Sequence, residues 1–352
     1  MIRSVRNMEG MVSQFPFPTC SRMIFKPGDS NQKNHVFCHM HTAVVIKSMG
    51  KWCQVRDDAG KYWQCRMRGK LRMKGIRSTN PIAVGDRVVI EPETQMEDHA
   101  VITDIEKRKN FIVRKSVNLS KETHIVAANI DQAFLLVTLA RPRTSVGFID
   151  RFLVAAKAYD IPVVIVFNKI DEYSEEEKES TSEVRILYES IGYKCLEVSA
   201  LERINVDAVL DLMSRKSSMV SGHSGVGKST LINAINPDLN IKTMEVSDSH
   251  EQGRHTTTFA EMHPVGDNGF IIDTPGIKGF GIVTIAREEL HHHFPEMFAL
   301  LPECKFHNCL HVLEPHCAVK LAIEEGRIPK SRYTSYLSMY QEEEGPYRTV
   351  NY

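Results

Sequence analysis

Eight residues at 222–229, GHSGVGKS, match the pattern G-x-x-x-x-G-K-[ST], between a short apolar segment and the helix-forming run STLINAI. Glycines in this pattern let backbone N–H groups converge on phosphate oxygens. Lys228 would reach the β- and γ-phosphates as a catalytic cation, and Ser229 would bind Mg²⁺. A glycine-rich turn without a ligand is the alternative. The predicted residues of this phosphate loop are Gly222, His223, Ser224, Gly225, Val226, Gly227, Lys228, Ser229 and Thr230.

A second motif, DTPG at 273–276, directly follows the apolar run GFIID. Asp273 would hold the Mg²⁺ shell, and the Gly276 N–H would meet the γ-phosphate. In isolation the tetrapeptide is also an ordinary turn. Its place downstream of Lys228 favours a switch segment that contacts the nucleotide.

The motif NKID at 168–171 closes the apolar run IPVVIVF and has the spacing of a guanine-reading loop. Asn168 would pair with the O6/N7 edge of guanine, and Asp171 would accept hydrogen bonds from its N1–H and 2-amino groups. Adenine lacks those donors and would leave the carboxylate unpaired, at a steep cost in affinity. Lys169 would pack across the base, next to Ile170. An ordinary strand-to-helix turn is the alternative.

Ser199 and Ala200, at the end of the next predicted strand, fit a loop that closes over guanine. The set of guanine-nucleotide motifs is then complete, but the base-reading loop precedes the phosphate loop in the chain. If the two ends of an unpermuted GTPase chain are joined and a new break is made between DTPG and NKID, the strands of the sheet keep the same neighbours. The motif order therefore predicts a circularly permuted GTPase, and NKID argues against a P-loop ATPase or kinase.

Alternating strands and helices are predicted to position these motifs. From about residue 121, apolar runs such as 131–140 and 161–167 alternate with helical spacing such as that of 147–160, which indicates a mostly parallel α/β sheet. Upstream, about five or six short alternating runs between residues 41 and 113 predict a small β-barrel.

Three cysteines near the C-terminus, Cys304, Cys309 and Cys317, lie close together in the sequence with His311 among them. The spacing C-x4-C-x-H-x5-C supplies three thiolates and one imidazole, the donor set of a closed tetrahedral zinc site that acts in folding. Two further histidines nearby leave the choice of imidazole open, and three unrelated buried thiols are the alternative. The run HHH at 291–293 is expected to be a solvated helix turn.

The segment KYWQCRMRGKLRMKGIR at 61–77 carries seven basic residues and no acidic one, with Tyr62 and Trp63 among them. Basic charge beside aromatic rings on a small β-barrel suits RNA. A solvated strand face is the alternative, and for Trp63 burial in the core is the preferred interpretation. The predicted RNA-binding residues are Lys61, Arg66, Arg68, Lys70, Arg72, Lys74 and Arg77.

Taken together, NKID, SGHSGVGKSTL, GRHTTT at 253–258, DTPG and the cysteine cluster resemble the small-ribosomal-subunit-dependent GTPase A family of circularly permuted ribosome-assembly GTPases, from about residue 41 onward. The resemblance implies an OB-fold barrel, a permuted P-loop GTPase α/β domain and a mostly helical zinc-binding domain. It implies GTP hydrolysis that is slow alone and stimulated by the small ribosomal subunit during late maturation. It selects His311 as the zinc imidazole. His223 departs from the Gln that is more usual in the family.

Within GRHTTT the family pattern suggests Thr257 as the magnesium threonine. After DTPG, where many GTPases carry a water-orienting Gln, Ile277 cannot align water, so hydrolysis needs another group. His255 is the nearest candidate, and a solvent-exposed loop histidine without a catalytic role is the alternative. With negligible turnover, the protein would instead be an RNA-binding assembly module whose site senses GTP and GDP.

The composition of the 352 residues, 42% hydrophobic and 25% charged, is typical of a soluble protein, and the sequence predicts neither a membrane span nor a secretory signal. The first 120 residues carry a net charge of +10 and the remainder −10, so a polyanion would meet the N-terminal third first. We expect a cytoplasmic monomer that uses zinc, and magnesium with GTP, and binds small-subunit rRNA.

Four segments are expected from these patterns, and Met40 is as plausible a start as Met1 because the patterned chain begins there. The expected segments are a poorly ordered extension at 1–39, an OB-fold RNA-binding domain at 40–115, a permuted GTPase domain at 120–288 and a zinc-binding domain at 289–352.

Overall fold

The computed structural model describes residues 41–50, 52–68, 82–94, 96–115, 123–241, 260–273 and 285–342. The predicted extension at 1–39 lies outside these residues. Among the helices of the described ranges, none has the length and apolar character needed to cross a membrane.

Five short strands form a closed barrel. They are β1 (His41–Met49), β2 (Trp52–Asp57), β3 (Tyr62–Met67), β4 (Arg87–Pro92) and β5 (His99–Ile105). Their order is β1-β2-β3-β5-β4, and β4 returns to pair with β1. Alternate side chains point inward, so Val45 and Ile90 are buried. Trp63 is buried with them, as the sequence predicted, and its indole N–H donates to Asp57 Oδ2 at 2.8 Å.

A buried ion pair fixes the chain as it leaves the barrel. Arg108 donates two hydrogen bonds of 2.6 Å to the carboxylate of Asp86, which also accepts from the Ala83 N–H at 2.8 Å. Both charged side chains are buried and lose their hydration. The two parallel hydrogen bonds compensate for that loss. The chain then forms a hairpin of β6 (Phe111–Lys115) and β7 (Thr123–Ala128).

Six further strands form the main sheet. They are β8 (Gln132–Val137), β9 (Val163–Phe167), β10 (Lys194–Glu197), β11 (Ser217–Gly222), β12 (Glu261–Val265) and β13 (Gly269–Asp273). Their order is β10-β9-β8-β11-β13-β12, and all neighbours are parallel except β12 and β13. Lys47 of β1 pairs with Glu261 of β12, and their side chains form a 2.7 Å ion pair. The sheet therefore continues into the barrel.

Helices cover both faces of this sheet. They are α1 (Val146–Ala158), α2 (Glu175–Ser190), α3 (Val206–Met213) and α4 (Lys228–Ile235). Ser174 and Glu177 form a capping box that starts α2, and the Ser145 hydroxyl caps α1. Apolar side chains of α1, such as Phe152, pack in one buried cluster, and those of α3 and α4 pack in another on the opposite face. The result is the predicted mostly parallel α/β sheet, with helices on both faces.

The C-terminal part consists of short helices. They are α5 (Pro295–Phe298), α6 (Ala318–Glu324) and α7 (Lys330–Gln341), with 3-10 turns at Arg287–His293 and Leu301–Glu303; two further 3-10 turns, Ile170–Glu172 and Pro237–Leu239, lie in the preceding domain.

A buried charge cluster attaches this C-terminal part to α1. Arg332 donates to Asp150 at 2.6 Å and to Glu296 at 2.7 Å, and Tyr188 also donates to Asp150 at 2.7 Å. Burial alone would lower the pKa of Arg332, but the two carboxylates raise it. Val154, also on α1, belongs to the apolar core of the C-terminal part. Helix α1 therefore holds the C-terminal part through both a buried ion pair and apolar packing.

Replacing Arg332 by alanine should lower the free energy of unfolding by about 3–5 kcal/mol, because the Asp150 charge is left buried without its cation. Urea unfolding followed by circular dichroism measures the loss. Arg327→Ala is the matched control, because Arg327 and its partner Glu325 are both exposed, and it should change stability by no more than about 0.5 kcal/mol. Equal losses in the two variants would contradict a structural role for the buried pair.

Candidate nucleotide and metal sites

The motifs predicted to contact a nucleotide follow neighbouring strands of the main sheet. NKID follows β9, Ser199 and Ala200 come just after β10, the phosphate loop begins at the end of β11, and Asp273 is the last residue of β13. Because the carboxyl ends of parallel strands meet at one edge of a sheet, the fold brings together motifs that are far apart in the chain.

The Asn168 side chain joins three of these loops. Its Nδ2 donates to the carbonyl of Val226 in the phosphate loop at 2.8 Å, and its Oδ1 accepts from the Ala200 N–H at 3.1 Å. The residue is 1% exposed. An amide group has two N–H donors, so one remains to meet an acceptor on a base. Asn168 therefore positions the site, and sequence reasoning predicted only its contact with guanine.

Tyr173 supports Asn168 from behind and was not predicted from the sequence. Its hydroxyl donates to the Asn168 carbonyl at 3.1 Å and accepts from the Leu139 N–H at 2.9 Å. The ring is buried. A tyrosine five residues after the asparagine has no distinctive spacing, so only the fold reveals this contact.

The rest of the base-reading loop is arranged around Asn168. Lys169 adopts φ 65° and its Nζ lies 3.6 Å from a carboxylate oxygen of Glu172, while Asp171 is exposed and accessible to a ligand. The Ile170 N–H donates to the Val198 carbonyl at 3.4 Å, which holds the loop against the end of β10. Ser199 is buried and accepts a backbone hydrogen bond from Glu202 at 3.0 Å, so the neighbouring loop is also fixed.

The phosphate loop has the backbone that its glycines permit. Gly225 and Gly227 have φ values of 81° and 93°, a conformation that favours glycine. A Cβ on Gly227 would lie 2.4 Å from Asn168 Nδ2, so glycine is also needed for the contact between the loops. Lys228 Nζ donates to the carbonyls of Gly222 at 2.8 Å and His223 at 2.6 Å, which holds its charge over the loop.

His223 packs against helix α1. Its ring centroid lies 3.8 Å from that of Phe148, with an interplanar angle of 31°. Burial, and then the positive charge of Lys228, lower the pKa of His223. The residue that departs from the family pattern thus contacts α1, the same helix that anchors the C-terminal part.

The magnesium and switch residues are only partly within the described chain. Ser229 lies in the first turn of α4, and Ser224 and Thr230 border the same loop. The backbone of Asp273 is described but its side chain is not. The other predicted residues of this group, which lie outside the described ranges, are His255, Thr257, Gly276 and Ile277.

The four predicted metal ligands are brought together. The ligand atoms of Cys304, Cys309, His311 and Cys317 all lie within 4.8 Å of one another, and all four residues but Cys304 are fully buried. His311 Nδ1 lies 3.3 Å from Cys317 Sγ and 3.7 Å from Cys304 Sγ. Burial raises the pKa of Cys309 to about 12, so metal binding must release thiol protons. The geometry and donor set fit one metal ion.

Local hydrogen bonds shape the loop that carries these ligands. The Glu314 carboxylate accepts from the N–H groups of Leu310 and Val312, each at 2.9 Å. The hydroxyls of Tyr333 and Tyr336, on α7, donate to the carbonyls of His311 and Leu310 at 2.7 and 2.5 Å. Helix α7 therefore holds the ligand loop in place.

Of the histidines near the four predicted metal ligands, one is buried where the sequence predicted exposure to solvent. His307 and His316 are exposed, whereas His311 is the histidine that lies in the buried cluster with the three cysteines. The prediction of a solvated helix turn for HHH is wrong for His291, which is 3% exposed, because its 3-10 helix packs that ring against His311. Burial lowers the pKa of His291 to about 4, with smaller contributions from neighbouring histidines.

The predicted RNA-binding residues that are described are all ion-paired. Lys61 pairs with Asp98 at 2.7 Å, Arg66 with Glu93 at 2.6 Å and Arg68 with Glu91 at 3.0 Å. These acidic partners come from β4 and the turn after it. That segment lies on the far side of β5 from β3, a placement that the local sequence pattern did not predict. The other four predicted residues, Lys70, Arg72, Lys74 and Arg77, lie outside the described chain.

Comparison with known proteins identifies relatives along most of the chain. Residues 105–283 match the family model described as RsgA GTPase, and residues 43–102 match the RsgA N-terminal domain. A protein of Christiangramia forsetii named small ribosomal subunit biogenesis GTPase RsgA is 56% identical over 309 residues, 88% of this chain and 98% of that protein. A protein of the same name from Bacteroides fragilis is 54% identical, over 87% of this chain and 99% of that protein.

Two solved structures share the fold. YjeQ from Thermotoga maritima superposes with a TM-score of 0.72 at 33% identity, covering 86% of this chain and 97% of that one. YloQ, described as a circularly permuted GTPase, superposes with a TM-score of 0.68 at 29% identity, covering 88% and 96%. The order of motifs in this chain is therefore that of a circularly permuted GTPase.

Replacing Asn168 by alanine should weaken GTP binding at least about tenfold, because the Val226 carbonyl and the Ala200 N–H each lose a partner worth roughly 1–3 kcal/mol in a buried setting. Titration calorimetry with GTP measures the effect. Asn236→Ala is a matched control, since its amide donates to the Pro264 carbonyl at 3.0 Å away from the nucleotide loops. Unchanged GTP affinity in the Asn168 variant would contradict the positioning role.

Proposed function

The chain belongs to the RsgA GTPase family. From that premise we propose that it binds the small ribosomal subunit and hydrolyses GTP during the late maturation of that subunit. In this proposal the bound subunit stimulates GTP hydrolysis. The observation that carries the proposal is the Asn168 side chain, which connects the base-reading loop to the phosphate loop in a permuted sheet. The names of the similar proteins from Christiangramia forsetii and Bacteroides fragilis support the ribosomal part.

The nucleotide is bound by loops that the fold brings to one edge of the sheet. Asp171 reads the guanine N1–H and 2-amino groups, and Lys228 neutralises the β- and γ-phosphates. Magnesium, when bound with GTP, neutralises developing charge on the phosphates. Ser229, Thr257 and Asp273 hold it in this proposal. The other GTP-binding residues are Asn168, Lys169, Ile170, Ser199, Ala200, Gly222, His223, Ser224, Gly225, Val226, Gly227, Thr230 and Gly276.

Hydrolysis depends on a group other than the residue after DTPG. Ile277 has no polar atom to orient water, so His255 in the switch segment is proposed for that role. The same absence predicts that the free protein hydrolyses GTP slowly. Binding to the small subunit then orders the catalytic group against the γ-phosphate.

The C-terminal cluster holds one structural zinc ion. Three thiolates and one imidazole would complete the ligand set of a structural zinc ion and leave no position for a substrate, so the ion would stabilise the fold. The segment that carries its ligands has few regular elements; these ligands are Cys304, Cys309, His311 and Cys317. The free energy of zinc binding therefore contributes directly to the folding of this segment.

The barrel supplies the RNA-binding surface in this proposal. The Lys61, Arg66 and Arg68 side chains are largely exposed in their ion pairs. Exposed ion pairs contribute about 0–1 kcal/mol to stability. A phosphate backbone can therefore compete for these cations. Lys70, Arg72, Lys74 and Arg77 continue the basic run. The site of action is the cytoplasm, where the ribosomal subunit is, and the chain acts as a monomer.

A nucleotide sensor with negligible turnover is the second candidate, and Ile277 favours it. In that case GTP would promote binding to the subunit without being hydrolysed there. The two candidates differ in turnover, not in nucleotide or subunit binding.

Steady-state GTP hydrolysis by the full chain, with and without purified small ribosomal subunits, tests the proposal. We expect stimulation of tenfold or more, about 1.4 kcal/mol or more of transition-state stabilisation. It should be lost in Lys228→Ala. Lys178→Ala, on the exposed face of α2, is the control and should keep it.

Three outcomes are separable in this experiment. Stimulation that requires Lys228 supports the GTPase. Binding to the subunit that GTP favours, without stimulation, supports the sensor. Failure to bind the subunit in any nucleotide state would contradict the ribosomal function and leave only the GTP site.

A further inference from the structure

His291 is a buried polar side chain to which no described residue is hydrogen-bonded. It is 3% exposed, and within the described ranges neither of its ring nitrogens has a hydrogen-bond partner. Its ring lies perpendicular to that of His311, with centroids 5.2 Å apart. Buried polar groups in proteins are nearly always paired, so this position calls for a physical explanation.

The orientation of His311 supplies a donor for it. His311 Nδ1 faces the thiols of Cys317 and Cys304, at 3.3 and 3.7 Å, so Nδ1 is the ligating nitrogen. A neutral imidazole that ligates through Nδ1 carries its proton on Nε2. His311 Nε2 is also buried, and the part of the chain that the structure describes offers it no hydrogen-bond partner. The metal site thus leaves one N–H donor unsatisfied, and metal-ligating histidines almost always donate that N–H to an acceptor.

Two other polar side chains of this region already have hydrogen-bond partners. Both oxygens of the Glu314 carboxylate accept backbone N–H groups, from Leu310 and Val312. The hydroxyl of Tyr333 donates to the His311 carbonyl. Among the described residues His291 is the neighbour of the His311 ring that has an unpartnered ring nitrogen.

We propose that His291 is the positioning residue of the metal site: its unprotonated ring nitrogen accepts the hydrogen bond of the His311 Nε2–H when the ion is bound. This contact fixes the tautomer and the ring orientation of the ligand, and it raises the basicity of Nδ1. His291 contributes no ligand to the ion. The inference rests on the proposed zinc site and adds to it a residue outside the C-x4-C-x-H-x5-C pattern.

Zinc affinity of the full chain, measured by competition with a chromogenic chelator, tests the inference. His291→Phe keeps an aromatic ring but removes the acceptor, and it should weaken zinc binding about 10–100-fold. His291→Gln restores an acceptor oxygen and should bind zinc close to the wild-type affinity. His307→Phe, an exposed histidine of the ligand loop, is the matched control and should have no effect. Circular dichroism establishes that each variant is folded.

Absorption spectra of the Co²⁺-loaded proteins identify the ligand set. The spectrum of His291→Phe should match the wild type, since its ligands are unchanged. Wild-type zinc affinity in His291→Phe, an equal loss in His291→Gln, or a changed Co²⁺ spectrum would each overturn the inference. Failure of the wild-type chain to bind zinc, or retention of zinc by Cys309→Ser, would instead contradict the zinc site itself.

Discussion

The nucleotide site depends on one buried amide. Asn168 is the point at which loops from β9, β10 and β11 meet, through hydrogen bonds to Ala200 and Val226. Gly227 must lack a side chain for this contact to form. A circular permutation preserves the site because these contacts depend on strand neighbours and not on chain order. The base-reading loop can therefore precede the phosphate loop without loss of geometry.

Helix α1 links this site to the C-terminal part. At its first turn Phe148 contacts His223 of the phosphate loop, and further along Asp150 and Val154 anchor the C-terminal part through Arg332 and the apolar core. Residues 274–284, which join DTPG to the C-terminal part, lie outside the described chain. The described contacts connect the two through a helix that packs against the sheet.

Short-range sequence patterns predicted much of this structure, because each nucleotide motif follows an apolar strand. The residues of that strand and of the motif itself are enough to identify both. The strands at 132–137 and 163–167, the barrel and the metal ligands follow from such patterns. Long-range pairings were not predictable in this way. Arg332 and Asp150 are 182 residues apart, and the acidic partners of Arg66 and Arg68 come from another strand segment. His291 looked solvated because its neighbours are polar, yet tertiary packing buries it.

The proposed function requires a guanine-specific site assembled in permuted order, and the nucleotide preference of an Asp171→Asn variant tests that site most directly. Asparagine cannot accept both donors of guanine, but its amide N–H can donate to the 2-oxo group of xanthine. Calorimetric titration with GTP, XTP and ATP should show GTP binding weakened at least about 100-fold and XTP binding gained, with ATP weak throughout. Unchanged GTP affinity in the variant, or equal binding of ATP and GTP by the wild type, would contradict a base-reading role for NKID.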